Sequence, residues 1–215
     1  MAAVESFGPD RTDIEPRSFK KYAPKDGNTD RIGIICEDRS TMFKGVLTHF
    51  KDRYFVCKST KEKKEICCLH TYENNEPRYR VGGAVIQYST KMVDGKEKVT
   101  GYEILPWIFS ETVYKQLIAC DKDFPLESHD VRVTGTKKGD FLNLNIVPCP
   151  NSIWSSNTDL KKKVLADAIK IRENIGKRLA TDLSITEIRE QLNIDAPGSQ
   201  DAAADVDVTD IANTL

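Results

Sequence analysis

Six short stretches rich in β-branched and aromatic residues follow one another between residues 31 and 109, and this succession constrains the chain more than any other feature. They cover 31–36, 43–50, 53–58, 64–70, 79–90 and 98–109. Runs of this length and composition form strands rather than helices. Asp94-Gly95 lies between the last two, and because both residues tolerate a positive φ the pair marks a tight hairpin. Ser110 offers an N-cap to a helix over 111–120, where Val113, Leu117 and Cys120 recur at helical spacing, and Pro125 excludes a longer one. A second hairpin is expected from 131–136 and 141–147, joined by the turn Lys137-Lys138-Gly139-Asp140. Gly82-Gly83 lacks the spacing and lysine of a phosphate-binding loop and reads as a strand bulge. Antiparallel strands, one short helix and a closing hairpin predict a mainly β chain with an OB-like antiparallel β-barrel. Periodicity alone fits other small antiparallel barrels as well.

The flanks differ in character. Residues 1–30 carry Pro9, Pro16, Pro24 and Gly27 with no periodic apolar pattern, and read as a flexible N-terminal arm on which Phe7, Phe19 and Tyr22 could dock. The barrel then occupies 31–155, and 156–194 is a basic helical extension. There, Thr158 caps a helix to about residue 180 with an apolar stripe at Leu160, Val164, Ala168, Ile171, Ile175 and Leu179. Ser184 and Glu187 form a capping box that opens a shorter helix to about Asn193. Pro197-Gly198-Ser199 releases a disordered acidic tail, 195–215, which contains five Asp and no Lys or Arg. The chain's net charge of −1 therefore divides into a basic body and an acidic end.

These properties exclude several classes. No apolar stretch approaches the roughly 18 residues that a spanning helix needs, and the start MAAVESFGPDRTD has no secretory pattern. The expectation is an intracellular protein with no membrane, its six cysteines reduced or bound to metal rather than bridged. His129-Asp130 has no nucleophile motif beside it, and no acid, base and nucleophile converge, so catalysis is not expected.

Two constellations carry chemistry. His49, Cys57, Cys67, Cys68 and His70 form the densest cluster of metal-ligating types. A structural zinc ion needs four such ligands in a tetrahedron, and His49, Cys57, Cys67 or Cys68, and His70 are the candidates. If 64–70 is a strand, Cys67 and Cys68 point to opposite faces and only one joins the site; Cys57 also reads as an ordinary buried strand residue. The second constellation interleaves aromatic and basic residues: Arg53, Tyr54, Phe55, Arg78, Tyr79, Arg80, Lys91, Tyr102, Lys137 and Lys138. Single strands are held by a cationic groove and aromatic platforms, although aromatics on strands more often pack a core. Trp107 and Trp154, amid apolar neighbours, belong to the core. Residues 31–155 hold 19 Lys and Arg against 16 Asp and Glu, so binding requires a local stripe. The tail offers Asp205, Asp207, Asp210, Ile211 and Leu215, an anionic segment able to compete for a basic groove or to dock on a partner. An ordinary solubilising tail has the same composition.

The run Cys57 to Cys68, Pro77-Arg78-Tyr79-Arg80-Val81-Gly82, Gly101-Tyr102-Glu103-Ile104-Leu105-Pro106-Trp107-Ile108-Phe109 and Pro148-Cys149-Pro150-Asn151-Ser152-Ile153-Trp154 together resemble the bacteriophage single-stranded DNA-binding proteins. The resemblance covers roughly 31–155. It implies an OB-fold that coats single-stranded DNA in replication, recombination and repair within the host cytoplasm. It further implies a zinc site in one branch, an acidic tail that recruits replication and recombination proteins, and a homo-oligomer or cooperative array on DNA. His70 stands where a member of the zinc-binding branch would carry Cys. From the residues alone, a non-enzymatic adaptor of a replication or transcription complex is the alternative, and RNA would suit the same groove.

Overall fold

A computed structural model describes residues 20–59, 67–72 and 74–194. Seven strands, β1 (Thr29–Ile35), β2 (Lys44–Lys51), β3 (Arg53–Val56), β4 (Arg78–Val93), β5 (Lys96–Ser110), β6 (Val131–Lys138) and β7 (Phe141–Pro148), form one sheet. Every strand pair in it is antiparallel. Among the described residues five α-helices accompany them, α1 (Cys68–Tyr72), α2 (Glu111–Asp123), α3 (Ile153–Ser156), α4 (Thr158–Leu179) and α5 (Ile185–Leu192), together with a 3-10 turn at Arg39–Thr41. No helix among the described residues is long and apolar enough to cross a membrane.

β4 organises the sheet. Along one edge it pairs β5 for nearly its whole length, and along the other it pairs first β2 and then β1. The Asp94-Gly95 turn joins β4 to β5 with φ of 53° and 72°, the left-handed pair such hairpins require. The remaining order, β3-β2-β4-β1-β6-β7, runs from one free end to the other and does not close. The edge of β3 is covered by the chain leaving α4: the Val56 N–H donates to Thr181 O at 3.0 Å, and the Thr181 N–H donates to Tyr54 O at 2.8 Å.

Alternation along β4 buries both of its faces. Val81 and Val85 join Ile32, Ile34, Trp107, Phe109, Leu117, Val133 and Ile146 in the main core, which α2 covers. Ala84, Ile86 and Tyr88 face the other way, onto Trp154, Val164 and Ala168. The apolar stripe of α4 is therefore packed on the sheet, and what the sequence divides off as an extension is a second layer of the same body. At Gly82 an added Cβ would lie 2.8 Å from Ile175 Cγ1, so only glycine admits α4 this closely. A third cluster, Phe55, Cys57, Cys67, Cys68, Leu69 and Ile188, lies between β3, α1 and α5.

Asp130, with no exposed surface, ties the two layers together. It accepts from Arg31 Nε at 3.0 Å, the Ile153 N–H at 3.0 Å and Tyr88 Oη at 3.4 Å, while Arg31 Nη2 reaches Asn151 O at 3.0 Å. Burial holds the Asp130 carboxyl above its ordinary range, against the lowering pull of the Ile153 N–H, Ser152 and Arg31.

Several sequence expectations need correction. The segment 64–70 is not a strand where it is described: Cys68–Tyr72 is helical, with the His70 N–H on Cys67 O at 3.1 Å. Cys67, Cys68 and Leu69 are all fully buried, which a helical turn wedged between two elements permits and a one-sided strand does not. The ladder irregularity of β4 falls at Ser89/Thr90 and not at Gly82-Gly83. Asn157, rather than Thr158, caps α4, accepting from the Asp159 and Leu160 N–H groups. Ser110 occupies the N-cap of α2 without a side-chain capping bond, whereas the Ser184–Glu187 capping box forms as expected. Among the described residues the sheet does not close on itself, since β3 and β7 each end the ladder. The arm is docked well before residue 31. Tyr22 is 2% exposed, its N–H donates to Pro106 O at 2.9 Å, and its ring meets Trp107 edge-on at 5.3 Å. Residues 1–19 and the tail, 195–215, with Asp205, Asp207, Asp210, Ile211 and Leu215, lie outside the described residues.

Candidate functional site

The hairpin of β2 and β3 sorts its side chains by parity. Asp52, at φ 53°, turns the chain in a single residue, so that Phe50 pairs with Tyr54 and His49 with Phe55. Cross-strand partners share a face and neighbours along a strand do not. One face therefore carries Phe50 and Tyr54, and the other carries His49 and Phe55.

On the inner face, one donor atom from each of His49, Cys57 and Cys67 lies within 4.8 Å of the others, close enough to hold a metal ion. His49 Nε2 is 3.2 Å from Cys67 Sγ, and His49 Nδ1 is 2.6 Å from the carbonyl of Asn75. A carbonyl can only accept, so that contact keeps a proton on Nδ1 and leaves Nε2, the nitrogen free to serve a metal ion, facing Cys67 with one proton shared between nitrogen and sulfur. Burial alone would raise the Cys67 thiol. The His49 hydrogen bond and the backbone N–H groups of Lys58 and His70 outweigh it and hold the thiol well below its ordinary range. His49 moves up in turn: burial pulls it down, but the sulfur beside it holds its proton more strongly. Cys57 and Cys68 are both raised, chiefly by burial.

Of the five ligands nominated from the sequence, the structure brings three together. Cys68 is outside the group and packs with Leu69 and Ile188. His70 is also outside it, its ring 6.3 Å from that of His49. Its Nδ1 is buried and has no hydrogen-bond partner among the described residues, lying 4.0 Å from Glu76, which is beyond hydrogen-bonding distance.

On the outer face, the Phe50 and Tyr54 rings meet at 4.9 Å with their planes tilted by 57°, and they stand 57% and 36% exposed. Arg80 lies 3.6 Å over the Tyr54 ring while its Nη1 donates to Leu179 O at 2.6 Å, so it braces the ring from behind. The pair forms a ridge between two clefts. Asn74, Asn75, Glu76 and Arg78 line one, of about 520 Å³; Asp52, Arg53, Lys177 and Arg178 line the other. Cations outnumber anions around the ridge.

The other residues nominated for nucleic acid are not on this surface. Phe55 is 1% exposed and belongs to the third core. Tyr79 points to the opposite face of β4, against Tyr114 of α2. Tyr102 packs partly buried beneath the α4 layer. Lys91 is exposed near the β4–β5 tip, about 35 Å along an extended strand from Arg80. Lys137 and Lys138 are exposed at the tip of β6–β7, where the Lys137 N–H donates to Asp26 at 2.7 Å. Phe50 and Lys177 escaped the sequence reading. Phe50 was legible from its symmetric placement with Tyr54 about Asp52, whereas Lys177 reaches the ridge only because α4 folds back along the sheet.

No family model matches this chain, and a search of curated proteins finds no match.

Proposed function

We propose that this protein binds single-stranded DNA without reading its sequence, through the Phe50–Tyr54 ridge and the Arg53, Arg78, Arg80 and Lys177 cations beside it. The single observation that carries this reading is a half-exposed pair of aromatic rings in contact at 4.9 Å and set among arginines, one of which braces a ring from behind. Every base has a face to stack, so such a platform tolerates any sequence, and each stack contributes about 1–3 kcal/mol. An OB-like barrel is the architecture proposed for it. Five strands, β1, β4, β5, β6 and β7, contribute to one core, and the helix between β5 and β6 packs against β4, β5 and β7, in keeping with a curled sheet that surrounds its own interior.

In the same reading the inner-face cluster is a structural zinc site, with His49, Cys57, Cys67 and His70 as ligands. Zinc supplies folding energy where apolar surface is scarce. The acidic tail is assigned to competition for the cationic surface and to recruitment of replication and recombination partners.

Anisotropy titration of labelled oligo-dT against the same length of duplex, over a salt series, tests the reading. Preference for the single strand with a log–log salt slope of about −0.7 per phosphate contacted supports it. Replacement Tyr54→Ala is expected to weaken oligo-dT binding by about 1–3 kcal/mol. Absence of binding, or a duplex preference, overturns the proposal and leaves the adaptor reading in its place.

A further inference from the structure

Asn75 touches both faces of the β2–β3 hairpin. Its carbonyl accepts from His49 Nδ1 at 2.6 Å, and its side-chain amide donates to the Phe50 carbonyl at 2.8 Å. Its own N–H donates to Leu69 O at 3.2 Å, in the turn that brings Cys67 and His70. One residue thus holds a member of the metal cluster, the segment supplying a second member, and the backbone from which the Phe50 ring projects. It also lines the cleft beside the ridge. Asn74, at φ 47°, takes the left-handed conformation that asparagine tolerates better than most residues.

The bond from His49 is the kind that orients a metal-ligating imidazole: a histidine that gives Nε2 to a cation becomes a stronger donor at Nδ1. Tightening there is felt at once at Phe50, because the acceptor and the amide that grips Phe50 belong to the same residue. We propose that Asn75 is a positioning residue coupling the cation site to the aromatic ridge. A divalent cation on His49, Cys57 and Cys67 restrains the Phe50–Tyr54 pair and raises affinity for a single strand. By linkage, a bound strand raises affinity for the cation by the same factor. The strand-binding half of this inference rests on the reading of the ridge given above.

The test uses the full chain with zinc chloride, and combines two readouts: oligo-dT affinity with and without zinc, and hydrogen exchange at the amides of residues 50–54. In the wild type, zinc is expected to slow exchange there and to tighten oligo-dT binding about three- to tenfold, the worth of one hydrogen bond. Asn75→Ala keeps the two backbone contacts and loses the amide, so zinc still binds but both effects vanish. Asn75→Asp, of the same shape with no amide donor, is the second variant and behaves alike. The proposal is overturned if zinc protects residues 50–54 equally in the variants and the wild type, or has no effect on the wild type. Should the wild type bind zinc but no oligo-dT, the single-strand reading fails while the exchange comparison still decides the coupling.

Discussion

At the centre of the sheet, Ala84, Ile86 and Tyr88 of β4 meet Trp154, Val164 and Ala168 across a wide apolar contact. At the β2–β3 end, Phe55, Leu69 and Ile188 share a small core with Cys57, Cys67 and Cys68, and His49 lies buried beside them. The centre is held by area removed from water, at about 25 cal/mol per Å². The hairpin end has too little apolar surface for that and places nitrogen and sulfur donors where a larger domain would place leucine. The residues proposed to meet DNA sit on the end, on the reverse of the same two strands.

The largest effect is expected at the centre. Trp154 is fully buried, and Trp154→Ala should cost about 3–5 kcal/mol, seen as a lower urea midpoint for the whole fold. A midpoint within error of the wild type would mean that α4 does not stabilise the sheet.

Next in size is Arg31→Met, which leaves Asp130 buried without its cation and should cost about 3 kcal/mol at neutral pH. The sign of its pH dependence follows from Asp130. Burial holds that carboxyl above its ordinary range, so the folded protein keeps the proton to a higher pH than the unfolded chain does. The group's contribution is fully present below the unfolded value of about 3.9 and is lost as pH rises through the folded value. Losing Arg31 deepens the loss at neutral pH, so the deficit of Arg31→Met should shrink as pH falls toward 4. Urea midpoints at pH 7 and pH 4.5 check this, and a deficit that grows on acidification contradicts it.

A sharper separation comes from the end itself. Cys67→Ser should lower zinc affinity at least about tenfold, by analogy with the loss of weaker outer contacts, and zinc removal should speed hydrogen exchange in β3, α1 and α5 while β1 and β4 stay protected. Uniform loosening would show that the two regions are one cooperative unit. The smallest effect is expected from Ser184→Ala. It removes half of the capping box on α5 and should raise exchange in that helix about five- to tenfold, leaving the centre unchanged.

Strand and helix placement was largely legible because it follows from local chemistry. Asp94-Gly95 turns the chain, the β-branched and aromatic runs 79–90 and 98–109 make the long hairpin, and the Ser184–Glu187 box opens α5. The site was legible only in part. His49, Cys57 and Cys67 stood out by residue type and do converge, but Cys68 and His70 depend on how 67–72 is folded, and residues 60–66 before it lie outside the described residues. Among the aromatics, composition could not distinguish Tyr54 from Phe55, since adjacent strand residues differ only in the face they present.

Local chemistry was enough for most of the strands, for α2, α4 and α5, for the two tryptophans of the core and for the kinds of atom available for binding, since propensity, turn chemistry and residue type act over a few residues. Only the tertiary structure decided that α4 is a layer of the sheet, that the ladder stays open at β3 and β7, and that Phe50 and Lys177 stand beside Tyr54 and Arg80. Those outcomes depend on contacts between residues far apart in the chain, where the energy comes from buried area and close fit and leaves no local pattern to read.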